Sequence, residues 1–245
     1  MSNIIKTKSF EVAIYAKGDP DSPKLALMLP GRLDTKDYAH LKSHVDFLSE
    51  RGFYAVAIDP PGTWESPGNL DEYSTTLYVK CVGEIIEYYG NRPTTLVGHS
   101  RGGATSMLSS KFTAVESLVL VNASYSGNPS RPDESLLING KLRELRDLPP
   151  GDHRTDEKVE FMMSMLYFDD GLNHDPLESL KKFEGKKLLI HATDDEFNPA
   201  VNVEKIYDTL PEPKRFLEIP KDHDYRLYPE IIDQVNQEIS KFLGL

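Results

Sequence analysis

Short apolar runs alternate with stretches of helical spacing along most of the chain. Leu25 to Leu29, Tyr54 to Ile58, Thr94 to Val97, Ser117 to Asn122, Lys187 to His191 and Arg215 to Ile219 are each short and rich in Val, Ile and Leu. Such near-continuous runs predict strands buried on both faces of a parallel sheet, since a strand with one wet face alternates apolar and polar residues. Between them, Leu41, Val45 and Leu48 stand at i, i+4 and i+7, and Leu77, Cys81, Ile85 and Tyr89 form a second stripe. These predict amphipathic helices that cover the sheet, and Val201 to Leu210 and Ile231 to Leu243 complete the set. Strand and helix in alternation imply an α/β fold with a mostly parallel, doubly wound sheet. Ile4 to Ala16 reads as a strand or hairpin added at its edge.

From Ser124 to Gly185 that rhythm stops. Ile138, Leu142 and Leu145, and then Val159, Met162, Met163 and Leu166, carry helical spacing between Pro- and Gly-rich breaks. Residues 124–185 are therefore expected to form a small helical lid inserted after the sixth strand, with 1–123 and 186–245 as the core. Lys141, Arg143 and Arg146 read as a solvated helix face. The stretch EFMMSMLYFDD, residues 160–170, either lines an adaptable pocket or packs a helix on the sheet.

Charge and composition narrow the partners. A net charge of −11 excludes a nucleic-acid partner, which would need a basic surface. No window approaches 18 consecutive apolar residues, so no membrane span is expected. Cys81 is the one cysteine, which excludes an internal disulfide and a cysteine zinc cluster. MSNIIKTKSFEV at the start of the chain holds no apolar run of signal-peptide length, and a reducing cytoplasm is the expected location. His40 and His44 have the i, i+4 spacing of metal ligands but no third ligand nearby in sequence, so they are expected on a solvated helix face, with no metal. No cofactor is expected, and no feature sets an oligomeric state.

The chemistry concentrates in TTLVGHSRGGATS, residues 94–106. Ser100 stands between a predicted strand and a predicted helix, which forces a tight turn. Gly98 and Gly102, two residues to either side, let the backbone close without collision. The helix that follows aims its N-terminus at any negative charge developing there. A nucleophilic serine needs a base, an acid to orient the base, and donors for the oxyanion. KKLLIHATDDEFNP places Asp194 and Asp195 just past a strand end, and FLEIPKDHDYRLYPE places His223 just past the last one. Strand carboxyl ends are where side chains of a parallel sheet converge on a site. His99 and His191 are expected to be structural.

With its GHSRG turn, the chain order Ser…Asp…His and the insertion after the sixth strand, the sequence resembles the α/β-hydrolase family over nearly its whole length. The resemblance implies that Ser100 is the nucleophile, His223 the general base and Asp195 the acid. Ala192-Thr193-Asp194-Asp195 aligns with the family's Gly-x-x-Asp, with Asp194 and Glu196 as alternatives. It also implies an oxyanion hole built from the backbone N–H groups of Arg32 and Arg101. Pro30 departs from the family's histidine, which removes a side chain that braces the Arg32 loop. The implied activity is that of a serine hydrolase forming an acyl-enzyme, most simply a carboxylesterase on small or medium acyl esters. Thioesterase, amidase or peptidase, carbon–carbon hydrolase and acyltransferase chemistry share the same triad, and a non-catalytic binding protein shares the fold. The Arg32 and Arg101 side chains either reach an acidic group on the substrate or pair with acids such as Asp34 and Asp59. Trp64 either touches the lid or packs within its own loop.

Overall fold

The computed structural model describes residues 3–127 and 131–245. Its strands are β1 (Asn3–Lys6), β2 (Glu11–Lys17), β3 (Leu25–Leu29), β4 (Tyr54–Ile58), β5 (Thr94–His99), β6 (Val115–Val121), β7 (Leu137–Ile138), β8 (Lys141–Asp147), β9 (Lys158–Ser164), β10 (Lys186–Ala192) and β11 (Lys214–Ile219). Eight of them form one sheet in the order β1-β2-β4-β3-β5-β6-β10-β11. The pairings from β4 to β11 are parallel, while β1 and β2 attach antiparallel at one edge, as the N-terminal pattern predicts.

The period of two along each strand divides the core between the two faces. In β3, Leu25, Leu27 and Leu29 join one apolar cluster, and Ala26 and Met28 join the other; all five are fully buried. Each buried side chain of this size stabilises the fold by about 2 kcal/mol relative to exposure. The helices are α1 (Ala39–Ser49), α2 (Thr75–Tyr88), α3 (Arg101–Ser109), α4 (Leu166–Gly171), α5 (Pro176–Lys182), α6 (Ala200–Asp208) and α7 (Pro229–Leu243). Leu41, Val45 and Leu48 of α1, with Val235 and Ile239 of α7, cover one face. Cys81, Val82 and Ile85 of α2, Met107 of α3 and Val203 of α6 cover the other. The α2 start is set locally: the Ser74 hydroxyl accepts the Leu77 N–H at 3.1 Å, satisfying one of the helix's orphan donors.

The helical expectation for the insertion needs correction. Ile138, Leu142 and Leu145 lie on β7 and β8, and Val159, Met162 and Met163 on β9; these strands form a three-stranded antiparallel sheet. Along β8, Leu142, Glu144 and Arg146 are half-buried while Lys141, Arg143 and Leu145 are exposed. Leu142 and Leu145 thus fall on opposite faces. The alternation is hidden in the sequence because two inward positions are charged. Glu144 receives the Arg32 guanidinium at 2.9 Å, and Arg146 donates to the Arg32 carbonyl at 2.9 Å. Among the described residues of the insertion, α-helices appear only afterwards, as α4, which begins at Leu166, and α5.

Candidate active site

The carboxyl ends of β3, β5, β6, β10 and β11 lie at one edge of the sheet, and every candidate residue sits on a loop or helix start leaving that edge. Ser100 follows β5 with φ 50° and ψ −116°, a conformation that costs a non-glycine residue of order 1–3 kcal/mol and must be over-determined by its surroundings. The surroundings supply this. The Ser100 N–H donates to the Val121 carbonyl at 3.1 Å, and the Ser100 carbonyl accepts from Ser124 and Gly103, each at 3.0 Å. The two glycines have a steric reason. A Cβ on Gly98 would stand 2.4 Å from the Gly102 carbonyl oxygen, and one on Gly102 would stand 1.9 Å from that of Leu29. The start of α3 is pressed against the end of β3, and only glycine permits it.

His223 stands on the loop after β11, and its Nδ1 is 2.8 Å from Asp195 Oδ2. The other Asp195 oxygen accepts the N–H groups of Phe197 at 2.8 Å and Asn198 at 3.0 Å, which fixes the carboxylate. Of the two alternatives to Asp195, Glu196 accepts the backbone N–H of His223 at 3.3 Å, and Asp194 donates its own N–H to the Lys221 carbonyl. Burial opposes charge on His223. The hydrogen bond to Asp195 and its charge, with Asp224 and Glu196, prevail, so the imidazole titrates above the ordinary 6.5. Burial likewise works against the Asp195 anion, but His223 and the two backbone donors hold its pKa below the ordinary 3.8.

The His223 loop is also tied to the Ser100 turn. Its carbonyl accepts from His99 Nε2 at 3.1 Å and from Asn122 Nδ2 at 2.9 Å, and the His99 and His223 rings pack 5.1 Å apart. Asn122, just past β6 at φ 46°, also accepts the Ala192 N–H at 2.8 Å. It therefore joins β6, β10 and the His223 loop. Sequence reasoning passed over it, although a polar residue directly ending an apolar strand at this edge was the available signal.

Arg32 lies in the loop after β3, and Arg101 opens α3, where the first N–H groups have no intrahelical acceptor. Neither backbone N–H has a protein acceptor among the described residues. The bracing that Pro30 cannot give comes from elsewhere. Leu33, at φ 57°, donates its N–H to the Tyr73 hydroxyl at 3.1 Å, and its carbonyl accepts from Trp64 Nε1 at 2.9 Å. Trp64 also meets Phe161 of β9 edge-on at 5.3 Å, so it packs in its loop and touches the insertion at once.

His40 and His44 are not on a solvated face. Both are fully buried, because α7 and the turn at Tyr225–Leu227 cover that side of α1. Both His44 nitrogens are taken, by Asn236 at 2.6 Å and the Tyr225 hydroxyl at 2.8 Å, so it cannot ligate a metal. Among the described residues no group of three or more His, Cys, Asp or Glu could hold a metal ion. His99 and His191 are buried, the latter 2.6 Å from the Asn198 carbonyl through Nε2.

Strand order, the Ser100 turn and the loop positions define an α/β-hydrolase architecture. The model of the alpha/beta hydrolase family matches residues 26–234, and the chain belongs to that family. Among solved structures it is similar to Est1E from Butyrivibrio proteoclasticus with ferulic acid bound, at 14% identity and a TM-score of 0.77, covering 100% of both chains. Alpha/beta hydrolase domain-containing protein 10 from mouse is 17% identical, with a TM-score of 0.74 over 100% of this chain and 98% of that one. A monoacylglycerol lipase of Paleococcus ferrophilus is 19% identical, with a TM-score of 0.72 over 95% and 98%. No curated protein gives a significant match. Among the described residues no helix is long and apolar enough to cross a membrane.

Proposed function

We propose that the protein is a serine hydrolase in which Ser100, His223 and Asp195 act as nucleophile, general base and orienting acid. The observation that carries the reading is the 2.8 Å bond from His223 to Asp195, on a loop strapped by His99 to the strained turn that presents Ser100. The Ser100 hydroxyl adds to the ester carbonyl carbon while His223 Nε2 takes its proton. The oxyanion is met by the N–H groups of Arg32 and Arg101, and losing one such donor would cost ~3 kcal/mol of the barrier. As the intermediate collapses, His223 returns the proton to the departing alcohol, leaving Ser100 acylated. Water then gives a proton to His223 and its oxygen to the acyl carbon. The carboxylic acid leaves and Ser100 recovers its proton.

Carboxylester hydrolysis on small or medium acyl groups is the simplest activity of this set, and the resemblance to Est1E and the monoacylglycerol lipase supports it. A soluble enzyme of the reducing cytoplasm fits the single cysteine, whose thiol is buried and has its pKa raised by that burial. The test is covalent. A fluorophosphonate probe is expected to label Ser100, and Ser100→Ala to abolish labelling and ester turnover. Labelling that persists in the alanine chain, or fails in the folded native chain, overturns the assignment.

A further inference from the structure

Of the ten arginines in the sequence, nine have guanidinium groups that donate to a carbonyl or pair with a carboxylate. Arg101 is the exception. Its side chain makes no hydrogen bond or ion pair among the described residues, yet the residue is 5% exposed and its Nη2 is fully buried without a partner. The guanidinium carbon lies 5.3 Å from the centre of the Tyr167 ring, on α4 of the insertion. Tyr73 stacks on Tyr167 with centroids 5.3 Å apart and nearly parallel planes, while its hydroxyl holds the Leu33 N–H beside Arg32. The cation is thus enclosed between the candidate oxyanion loop and the insertion, one residue from Ser100.

A buried guanidinium without a counter-charge is costly, and an aromatic face offsets only part of that cost. The acids around the Arg32 loop and His99 are already engaged. Glu144 binds Arg32 at 2.9 Å and Arg146 at 3.3 Å, and Asp34 faces His99 at 3.5 Å and Arg146 at 4.0 Å. Among the described residues no carboxylate pairs with Arg101, which leaves its guanidinium available to an anion from outside the chain. We propose that Arg101 forms a subsite for a carboxylate carried by the substrate close to its scissile ester, so that the preferred substrates are mono-anionic. One free guanidinium among engaged acids matches a single carboxylate better than a phosphate dianion. This rests on Ser100 being the nucleophile, and its test is built to fail separately.

Two substrate pairs place the carboxylate on either side of the ester: 4-nitrophenyl hydrogen glutarate against 4-nitrophenyl methyl glutarate, and 3-acetoxybenzoate against its methyl ester. In at least one pair the acid is expected to exceed its ester in kcat/KM by about tenfold or more, the worth of a charge-assisted hydrogen bond. Arg101→Met should bring that ratio to near unity, and Arg101→Lys should keep part of it. Independently of turnover, the Ser100→Ala chain is expected to bind monomethyl glutarate by calorimetry, with at least about tenfold weaker binding once Arg101→Met is added. A chain that fluorophosphonate labels, but whose ratios stay near unity in both pairs and whose glutarate binding ignores Arg101→Met, overturns the subsite alone. So does an Arg101→Met chain that loses only thermal stability. Failure of labelling with Arg101-dependent glutarate binding retained overturns the hydrolase reading and leaves the subsite standing.

Discussion

His223 and His44 belong to one continuous chain of ring contacts and meet opposite electrostatic fates. His44 packs on Tyr225, Tyr225 on His99, and His99 on His223, with centroids 5.1 to 6.0 Å apart. His44 is bonded only to neutral groups, the Asn236 carboxamide and the Tyr225 hydroxyl. Burial pushes its pKa down from 6.5 to about 4. Its neighbour His40 has no hydrogen-bond partner on either nitrogen among the described residues, and burial takes it well below 6.5. His223 is only slightly less enclosed, yet its pKa is raised. Depth does not separate these imidazoles. The charge of the nearest partner does: a carboxylate at 2.8 Å in one case, a carboxamide at 2.6 Å in the other.

The largest effect is expected from removing that difference. Asp195→Asn gives His223 the same kind of partner as His44, and should lower turnover of a chromogenic ester by roughly 10⁴ while the chain stays folded. His223 works as a base only when neutral, so kcat/KM of the native chain should fall on the acid side through an apparent pKa above 6.5, the direction set by Asp195, Asp224 and Glu196. In Asp195→Asn the residual activity should titrate lower. Near-full turnover in this variant would move the orienting role to Glu196, the other carboxylate that touches residue 223.

His44 supplies the next largest effect, on stability. Its folded pKa is depressed, so the unfolded chain binds a proton that the native chain refuses, and stability is lost as pH falls from 6.5 towards 4. At ~1.4 kcal/mol per unit, His44 alone contributes a loss on the order of 3 kcal/mol across that window. Urea unfolding at pH 7 and pH 4.5 measures the loss, and His44→Gln should flatten it. An equal acid sensitivity in both chains would mean that other groups, His40 first among them, govern the slope.

These fates were unevenly legible in the sequence. The sheet was readable because β3 to β6 and β10 are buried on both faces, which leaves an apolar run with little ambiguity; β11, at the edge, is only half-buried but keeps Phe216, Leu217 and Ile219 in a short apolar run. Asp195 and His223 were findable because each lies just beyond such a run. The insertion was misread because Glu144 and Arg146 occupy inward positions of β8, so its period of two was masked by charge. His40 and His44 were misread because their face of α1 is covered by Tyr225 and Asn236, nearly two hundred residues downstream, and i, i+4 spacing carries no information about a distant cover. Asn236 and Tyr225 satisfy His44 completely, and a polar residue that the fold itself satisfies looks, in sequence, like one that needs water.

The smallest effect concerns how the two imidazoles are held. His44 is fixed through its ring, whereas His223 is fixed through its ring and its backbone, where Asn122 and His99 both donate to its carbonyl. Asn122→Ala removes one of those donors and the acceptor of the Ala192 N–H, while leaving the His99 and Asp195 bonds in place. Two such hydrogen bonds stabilise a fold by about 1–3 kcal/mol together, so the melting temperature should fall modestly. Loosening the loop should lower kcat about tenfold, because small misplacement of a base is costly in rate, while KM changes little. The pH profile tells position from charge: with Asp195 untouched, the acid limb should keep its midpoint as its height falls. A midpoint that moves with the height would mean that Asn122 acts on the protonation of the ring, and the contrast between partner charge and backbone support would then collapse into one effect.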